Sequence, residues 1–229
     1  MKFLYKGKTK DVYDNNDGTY VMKFKDDATG KDGVFDPGEN QVGLTIDGFG
    51  RQSLELTEYF FKKINAAGIP TCFISADLDK SEMVVKPVRN FGDIGKGVEI
   101  ICRLRATGSF VRRYGSYVTE GYPLNALVEI TLKDDERGDP LITKDALVQL
   151  EIMTSEEHDT VTAFTKQIAG ILKEDLQSKG LELYDMKFEF GRLNCGEIVL
   201  SDEISAGCLR VYKNGKIVEP MDLSKLILS

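Results

Sequence analysis

A single histidine, His158, and no tryptophan stand among the 229 residues of this chain. One imidazole excludes a His dyad and a His-rich metal cluster, and His158 falls in the first turn of a predicted helix, where a surface position is expected. Cysteine is scarce too. Cys72, Cys102, Cys195 and Cys208 are scattered without paired spacing, which excludes a disulfide scaffold or zinc site and points to a reducing, cytoplasmic location. No apolar run approaches the ~20 residues of a membrane span, and Met1-Lys2-Phe3-Leu4-Tyr5 lacks a signal-peptide core, so no membrane partner is expected. Positive charge is in deficit, 30 Lys and Arg against 37 Asp and Glu for a net charge of -7, and a nucleic-acid partner would need a net basic face. Internal repeats and low-complexity segments are absent. What is present is 41% hydrophobic content, enough for a substantial core in one large or two small domains.

The first part of the chain reads as β-rich. Phe3 to Tyr13 and Thr19 to Phe24 flank the turn signal Asn15-Asn16-Asp17-Gly18, and Lys8 and Lys10, two apart on a strand, are expected to share a face. A Gly-rich polar segment runs from Asp26 to Gly50. A helix follows, with Leu56, Phe60 and Ile64 four apart beside Phe61, stopped by Gly68 and Pro70. Strands are expected at Cys72 to Ser75, Met83 to Val88 and Gly97 to Leu104. The aperiodic loop Asn90 to Lys96 is the expected boundary between an N-terminal domain, 1–89, and a C-terminal domain, 90–229. The longest helix is expected from Thr154, capped by its hydroxyl with Glu157 reaching back, to about Lys179, with Val161, Phe164, Ile168, Ile171, Leu172 and Leu176 on its apolar stripe. Irregularly spaced strands and two main helices give an α+β fold.

Near the C-terminus Tyr184, Met186, Phe188 and Phe190 alternate with Asp185, Lys187 and Glu189, so the three charged groups share one strand face. Asn194-Cys195-Gly196 is the turn to a second strand, Ile198 to Ser205. A hairpin centred near Cys195 would set Glu189 opposite Asp202. Facing carboxylates repel unless a cation lies between them, and oxygen ligands with room for water suit Mg²⁺, which usually arrives with a nucleotide's phosphates. Gly7-Lys8-Thr9-Lys10 offers flexible backbone and two cations to a polyphosphate, or is a solvated strand edge. Lys86, within Val84-Val85-Lys86-Pro87, either snorkels or reaches a ligand. Arg103 and Arg105, just before Gly108-Ser109, form an expected cradle for an anionic substrate, while Arg112 and Arg113 belong to it or to the surface.

These fragments in this order resemble the SAICAR synthetase family, the phosphoribosylaminoimidazole-succinocarboxamide synthases of purine biosynthesis. The resemblance rests on Tyr5 to Tyr13, Asp27-Ala28-Thr29, Ala67 to Thr71, Gly108 to Gly115, Gly138 to Ile142, Asp185 to Gly191, and Asp202-Glu203-Ile204-Ser205 with Arg210. It implies a small N-terminal antiparallel-sheet domain beside a larger α+β ATP-binding domain, and homodimeric assembly. The implied activity is an ATP-dependent ligation of carboxyaminoimidazole ribonucleotide to L-aspartate, releasing ADP and phosphate. Lys8, Lys10, Lys86, Lys187, Glu189 and Asp202 are then implied to bind ATP, Glu189 and Asp202 to hold Mg²⁺, and Lys86, Glu189 and Asp202 to serve the chemistry. Arg103, Ser109 and Arg210 are implied to hold the ribonucleotide. The chain departs from the family's pattern at Phe49, where lysine is usual, at Leu104, where asparagine is usual, and at Ala206-Gly207, where Pro-Asp is usual. The segment Val34 to Leu44 also looks longer than its counterpart, and most of these departures are expected beside the acceptor. They leave two alternatives, a ligase for another carboxylate or amine and a nucleotide-binding regulator without catalysis.

Overall fold

The computed structural model describes residues 1–39, 41–92 and 97–229. The chain opens with β1 (Lys2–Lys6), β2 (Lys10–Asp14) and β3 (Tyr20–Phe24). The stretch Phe3 to Tyr13 is therefore two antiparallel strands folded about a turn, in which Gly7 N donates to Lys10 O at 2.8 Å. A Cβ on Gly7 would lie 2.4 Å from Lys10 O, so only glycine allows this close reversal. Lys8 sits at the turn and Lys10 on β2; they do not share a strand face as their spacing suggested.

The polar segment Asp26 to Gly50 is not a loop. It carries β4 (Asp27–Lys31), β5 (Val34–Phe35) and β6 (Val42–Thr45), a small sheet in the order β5-β4-β6. Then α1 (Phe49–Ala66) buries Leu54, Leu56, Phe60, Phe61 and Ile64 as the spacing predicts. Next come β7 (Phe73–Asp77) and β8 (Glu82–Val85), which complete a five-stranded antiparallel sheet, β1-β2-β3-β8-β7, among the described residues. Lys86 lies just past β8 rather than inside a strand.

The larger sheet begins with β9 (Arg89–Asn90) and β10 (Val98–Arg105). Of the expected boundary loop, Asp93 to Lys96 lie outside the described residues. After α2 (Ser109–Tyr114) and β11 (Pro123–Leu132) come a 3₁₀ turn at Asp135–Arg137, α3 (Lys144–Gln149) and α4 (Ser155–Ser178). The capping box of α4 forms as expected: Glu157 N donates to Thr154 Oγ1 at 3.2 Å, and Thr154 N to Glu157 Oε2 at 2.8 Å. The chain then forms β12 (Glu182–Arg192), β13 (Ile198–Ser201), β14 (Leu209–Lys213), β15 (Lys216–Ile217) and α5 (Pro220–Leu228). The main path of the sheet is β11-β10-β12-β14-β15, with β9 and β13 also paired to β12. One hydrophobic core runs from Phe24 and Phe60 through Ile100 and Phe188 to Leu172 and Leu223.

The hairpin of β12 and β13 is present with its register one residue from expectation: Glu189 faces Ser201 instead of Asp202. Asp202 lies beyond the end of β13 at φ 63°, so the alternation of the strand is broken there. A second irregularity falls at Tyr184, the extra residue between the pairs Leu183↔Val211 and Asp185↔Arg210. The bulge puts Leu183 in the core where Tyr184 was expected, and Tyr184 stacks on Tyr212 with ring centroids 3.7 Å apart.

Candidate active site

Strand register builds the floor of the principal cleft. Across β11, β10 and β12, Glu129, Ile101 and Lys187 stand in one row and Leu127, Arg103 and Asp185 in the next, with Thr131 beside Glu99 on the other flank. Opposed residues share a sheet face, so these side chains rise together. The cleft has a volume of about 620 Å³, and its lining includes Glu99, Arg103, Ser109, Lys187, Cys208 and Arg210.

One cluster joins the two sheets. Lys10 Nζ lies 2.8 Å from Asp202 Oδ1 and also pairs with Glu203. Lys133 Nζ lies 2.7 Å from Glu189 Oε1, and Lys187 Nζ lies 3.0 Å from Glu99 Oε1. The acidic segment is tied in place from behind: Ile204 N donates to Thr57 Oγ1 of α1 at 3.3 Å, and Cys72 N to Leu200 O at 2.9 Å. Burial pushes the Glu189 carboxyl up, and its attraction to Lys133 does not fully offset this; Asp202 adds to the rise. Asp202 moves the other way: burial opposes ionisation, but Lys10 and then Lys133 outweigh it and hold the group below its ordinary range. Burial opposes the charge on Lys187, but Glu99, Cys208 and Glu189 together outweigh it and raise the group.

The second cluster surrounds Asp185, which burial pushes up against the pull of Arg210 and Arg103. Arg103 is 1% exposed, and most of its donors are engaged. Nε donates to Glu129 Oε2 at 2.6 Å, Nη1 to Asp185 Oδ2 at 2.7 Å and to Thr107 O at 3.3 Å, and Nη2 to Ser109 Oγ at 2.9 Å. A guanidinium has five N–H donors, so one on Nη2 remains for a ligand. Arg210 Nη1 donates to Asp185 and Nη2 to Asp36 Oδ1 at 3.0 Å, drawing the small sheet's loop against the cleft. Arg105 does not share this cradle. It donates to Glu182 at 2.6 Å and to Gly121 O at 2.9 Å, and lies over the Tyr184 ring. Arg112 and Arg113 do line the cleft, Arg113 bound to Glu129 Oε1 at 2.6 Å.

Of the residues picked out in the sequence, Lys10, Lys187, Glu189 and Asp202 come together in the first cluster and Arg103, Ser109 and Arg210 in the second. Lys8 is at the rim, 2.7 Å from Asp135. Lys86 is exposed, and its charge and that of Asp202 both act on the buried Cys72 thiol, which burial raises to about 12. Glu99, Lys133 and Glu203 were missed. Glu99 gave a usable signal, a charge inside the apolar run Val98 to Cys102. Phe49, Leu104 and Gly207 do not lie together. Phe49 is in the core, edge-on to Phe35, and Leu104 packs against the same core. Gly207 abuts the site: its N donates to Ser205 Oγ at 3.1 Å, and a Cβ there would lie 3.6 Å from Glu203 Oε1, while Pro37, Gly38, Glu39 and Gln41 of the lengthened segment line the cleft.

The donor set suits Mg²⁺. Asp202 is close enough to Glu189 to raise its carboxyl, and the buried Ser201 Oγ, opposite Glu189, has no hydrogen-bond partner. Among the described residues no three His, Cys, Asp or Glu side chains converge as a closed cage would require. Two carboxylates with remaining positions left to water or phosphate oxygen is the pattern expected of Mg²⁺ beside a nucleotide.

The family model described as SAICAR synthetase matches residues 3–225. The chain belongs to the SAICAR synthetase family. A SAICAR synthetase of Clostridium tetani, named phosphoribosylaminoimidazole-succinocarboxamide synthase, is 54% identical over 229 residues, all of both chains. The protein of that name in Thermotoga maritima is 35% identical, covering 94% of this chain and 87% of the relative. Among solved structures, a SAICAR synthetase in complex with ADP superposes with a TM-score of 0.84 at 28% identity, covering 98% of this chain and 95% of that one.

Proposed function

We propose that the chain is an ATP-dependent amide-forming ligase of purine biosynthesis, joining the carboxylate of carboxyaminoimidazole ribonucleotide to the amine of L-aspartate with release of ADP and phosphate. What supports this most is that full-length similarity to C. tetani SAICAR synthetase coincides with a cleft lined by Arg103, Ser109 and Arg210 of the second cluster and reached by Lys187 and Glu99 of the first. One is rich in lysine and carboxylate, as a metal-bound triphosphate requires; the other presents arginine and serine, as a phosphorylated carboxylic acid requires.

In this assignment residues 1–89 supply Lys8, Lys10 and Lys86 to the nucleotide, and residues 90–229 supply Lys187, Glu189 and Asp202. Glu189 and Asp202 hold Mg²⁺, which when bound neutralises charge on the phosphates. Arg210, Ser109 and the spare N–H of Arg103 hold the ribonucleotide. A carboxylate oxygen of that substrate attacks the γ-phosphorus as the bond to the β,γ-bridging oxygen breaks and ADP leaves. The aspartate amine then attacks the acyl carbon, the bond from that carbon to the phosphate oxygen breaks, and one proton is lost from nitrogen. No protein nucleophile is needed, so catalysis rests on positioning and charge. Lys86, with Glu189 and Asp202, completes the group serving the transferring phosphoryl. With Phe49 in the core and Leu104 packed against it, the changed-substrate alternative rests on Gly207 and on Pro37, Gly38, Glu39 and Gln41, which line the cleft.

The test is ADP release with ATP, Mg²⁺, the carboxylated ribonucleotide and L-aspartate, where turnover of about 1–10³ per second is expected. Absence of ATP binding to the folded chain by calorimetry would overturn the assignment. The same reading takes the cytoplasm as the place of action, consistent with four free thiols, and a homodimer as the assembly, which sedimentation would measure.

A further inference from the structure

Every carboxylate in the first cluster already has a lysine. Glu99 pairs with Lys187, Glu189 with Lys133, and Asp202 and Glu203 share Lys10. A free divalent cation approaching Glu189 and Asp202 must therefore displace two ammonium groups, and at Glu189 the group to be displaced is Lys133.

The path by which Lys133 reaches Glu189 is built into the sheet. Lys133 follows the last residue of β11, two strands away from β12, and its N donates to Gly97 O at 2.9 Å. Its stem crosses beside Gly97, where an added Cβ would sit 3.4 Å from Lys133 Cδ. Glu189 is only 15% exposed and the Lys133 side chain 38%, so of the two partners the lysine is the freer to move.

We propose that Lys133 is a positioning residue that acts as a resident counter-ion to Glu189 and makes capture of a divalent cation depend on the arrival of nucleotide. Without nucleotide the ammonium has no better partner, and the carboxylate stays closed to free metal. Nucleotide phosphates offer it one, so Lys133 exchanges Glu189 for phosphate oxygen and frees the carboxylate at the moment the metal is needed. The exchange moves only ionic and hydrogen-bonding contacts; no bond is made and no proton changes hands. This rests on the nucleotide and metal assignment above.

The test is Mn²⁺ binding followed by electron paramagnetic resonance, with and without a non-hydrolysable ATP analogue. In the nucleotide-free state Lys133→Met should bind Mn²⁺ about tenfold or more tightly than wild type, the factor corresponding to a modest ion-pair competition, while Lys133→Arg should remain as weak as wild type. With the analogue present all three should bind the metal. Equal nucleotide-free affinity in wild type and Lys133→Met would overturn the proposal. If Lys133→Met does not fold, Lys133→Gln carries the same comparison, and a wild type whose Mn²⁺ affinity is unchanged by the analogue overturns it without any variant. Failure of the folded wild type to bind the analogue at all would instead sink the nucleotide assignment.

Discussion

Asp202 joins backbone strain to charge at a single position. Its φ of 63° is in the left-handed region, which costs a side-chain-bearing residue about 1–2 kcal/mol except where a short polar side chain relieves it. Asparagine tolerates this conformation and alanine does not. Asp202→Asn is therefore expected to unfold at higher urea than Asp202→Ala, by about 1 kcal/mol, although both lose the carboxylate charge. The carboxyl is held below its ordinary value of 3.8, so the native state stabilises its ionised form. That contribution is complete above pH 3.8 and is lost as pH falls through the lower folded value. On acidification through this window Asp202→Asn should lose less stability than wild type; parallel curves in urea titrations at pH 5 and pH 3 would contradict the ionisation described.

At the scale of elements, the site depends on what holds β12 rather than on β12 alone. The first turn of α4 is connected to that strand through Glu157, which receives Arg192 Nη2 at 2.6 Å while completing the capping box with Thr154. Arg192 also lies over the Phe91 ring, 4.4 Å from its centroid. Loss of the capping hydroxyl in Thr154→Ala should cost about 1 kcal/mol. Because Glu157 keeps Arg192, the hairpin and nucleotide affinity should be little changed. Chemical denaturation combined with ATP calorimetry separates the two effects, and a large fall in ATP affinity would mean that the cap positions the site directly. In the same hairpin, the repeat of apolar and charged residues was legible in the sequence, while the bulge at Tyr184 was not. A bulge needs a partner strand to be defined against, and here the partner is β14, more than twenty residues onward.

For the whole molecule, the cleft is a seam. Lys10 connects β2 to Asp202 and Glu203, Lys8 reaches Asp135 beyond β11, and Arg210 on β14 reaches Asp36 of the small sheet's loop. A ligand that binds only the assembled seam stabilises the fold by about 2.7 kcal/mol at a hundred times its dissociation constant. For a chain of this size that is roughly a 5–11 °C rise in Tm. ATP with Mg²⁺ should produce such a rise, whereas adenosine, lacking the phosphates that the lysines are proposed to hold, should produce much less. Equal shifts in differential scanning calorimetry would place the binding energy on the base and ribose.

The sequence by itself determined the features with a local period: the buried stripes of α1 and α4, the α4 capping box, the Asn15 to Gly18 hairpin turn, and the charged face of β12 with Asp185, Lys187 and Glu189 together. Spacing of three or four residues on a helix, or two on a strand, is set within one element and survives whatever packs against it. It also carried the order of motifs that marks the family. Only the tertiary structure decided the one-residue slip that places Ser201 opposite Glu189, the turn that separates Lys8 from Lys10, the small sheet between Asp26 and Gly50, and the burial of Phe49 with the packing of Leu104 against the same core. It alone brought Lys133 across Gly97 to Glu189. Each of these depends on which strands pair and in what register, and a shift of one residue in register reassigns every side chain along the strand to the opposite face.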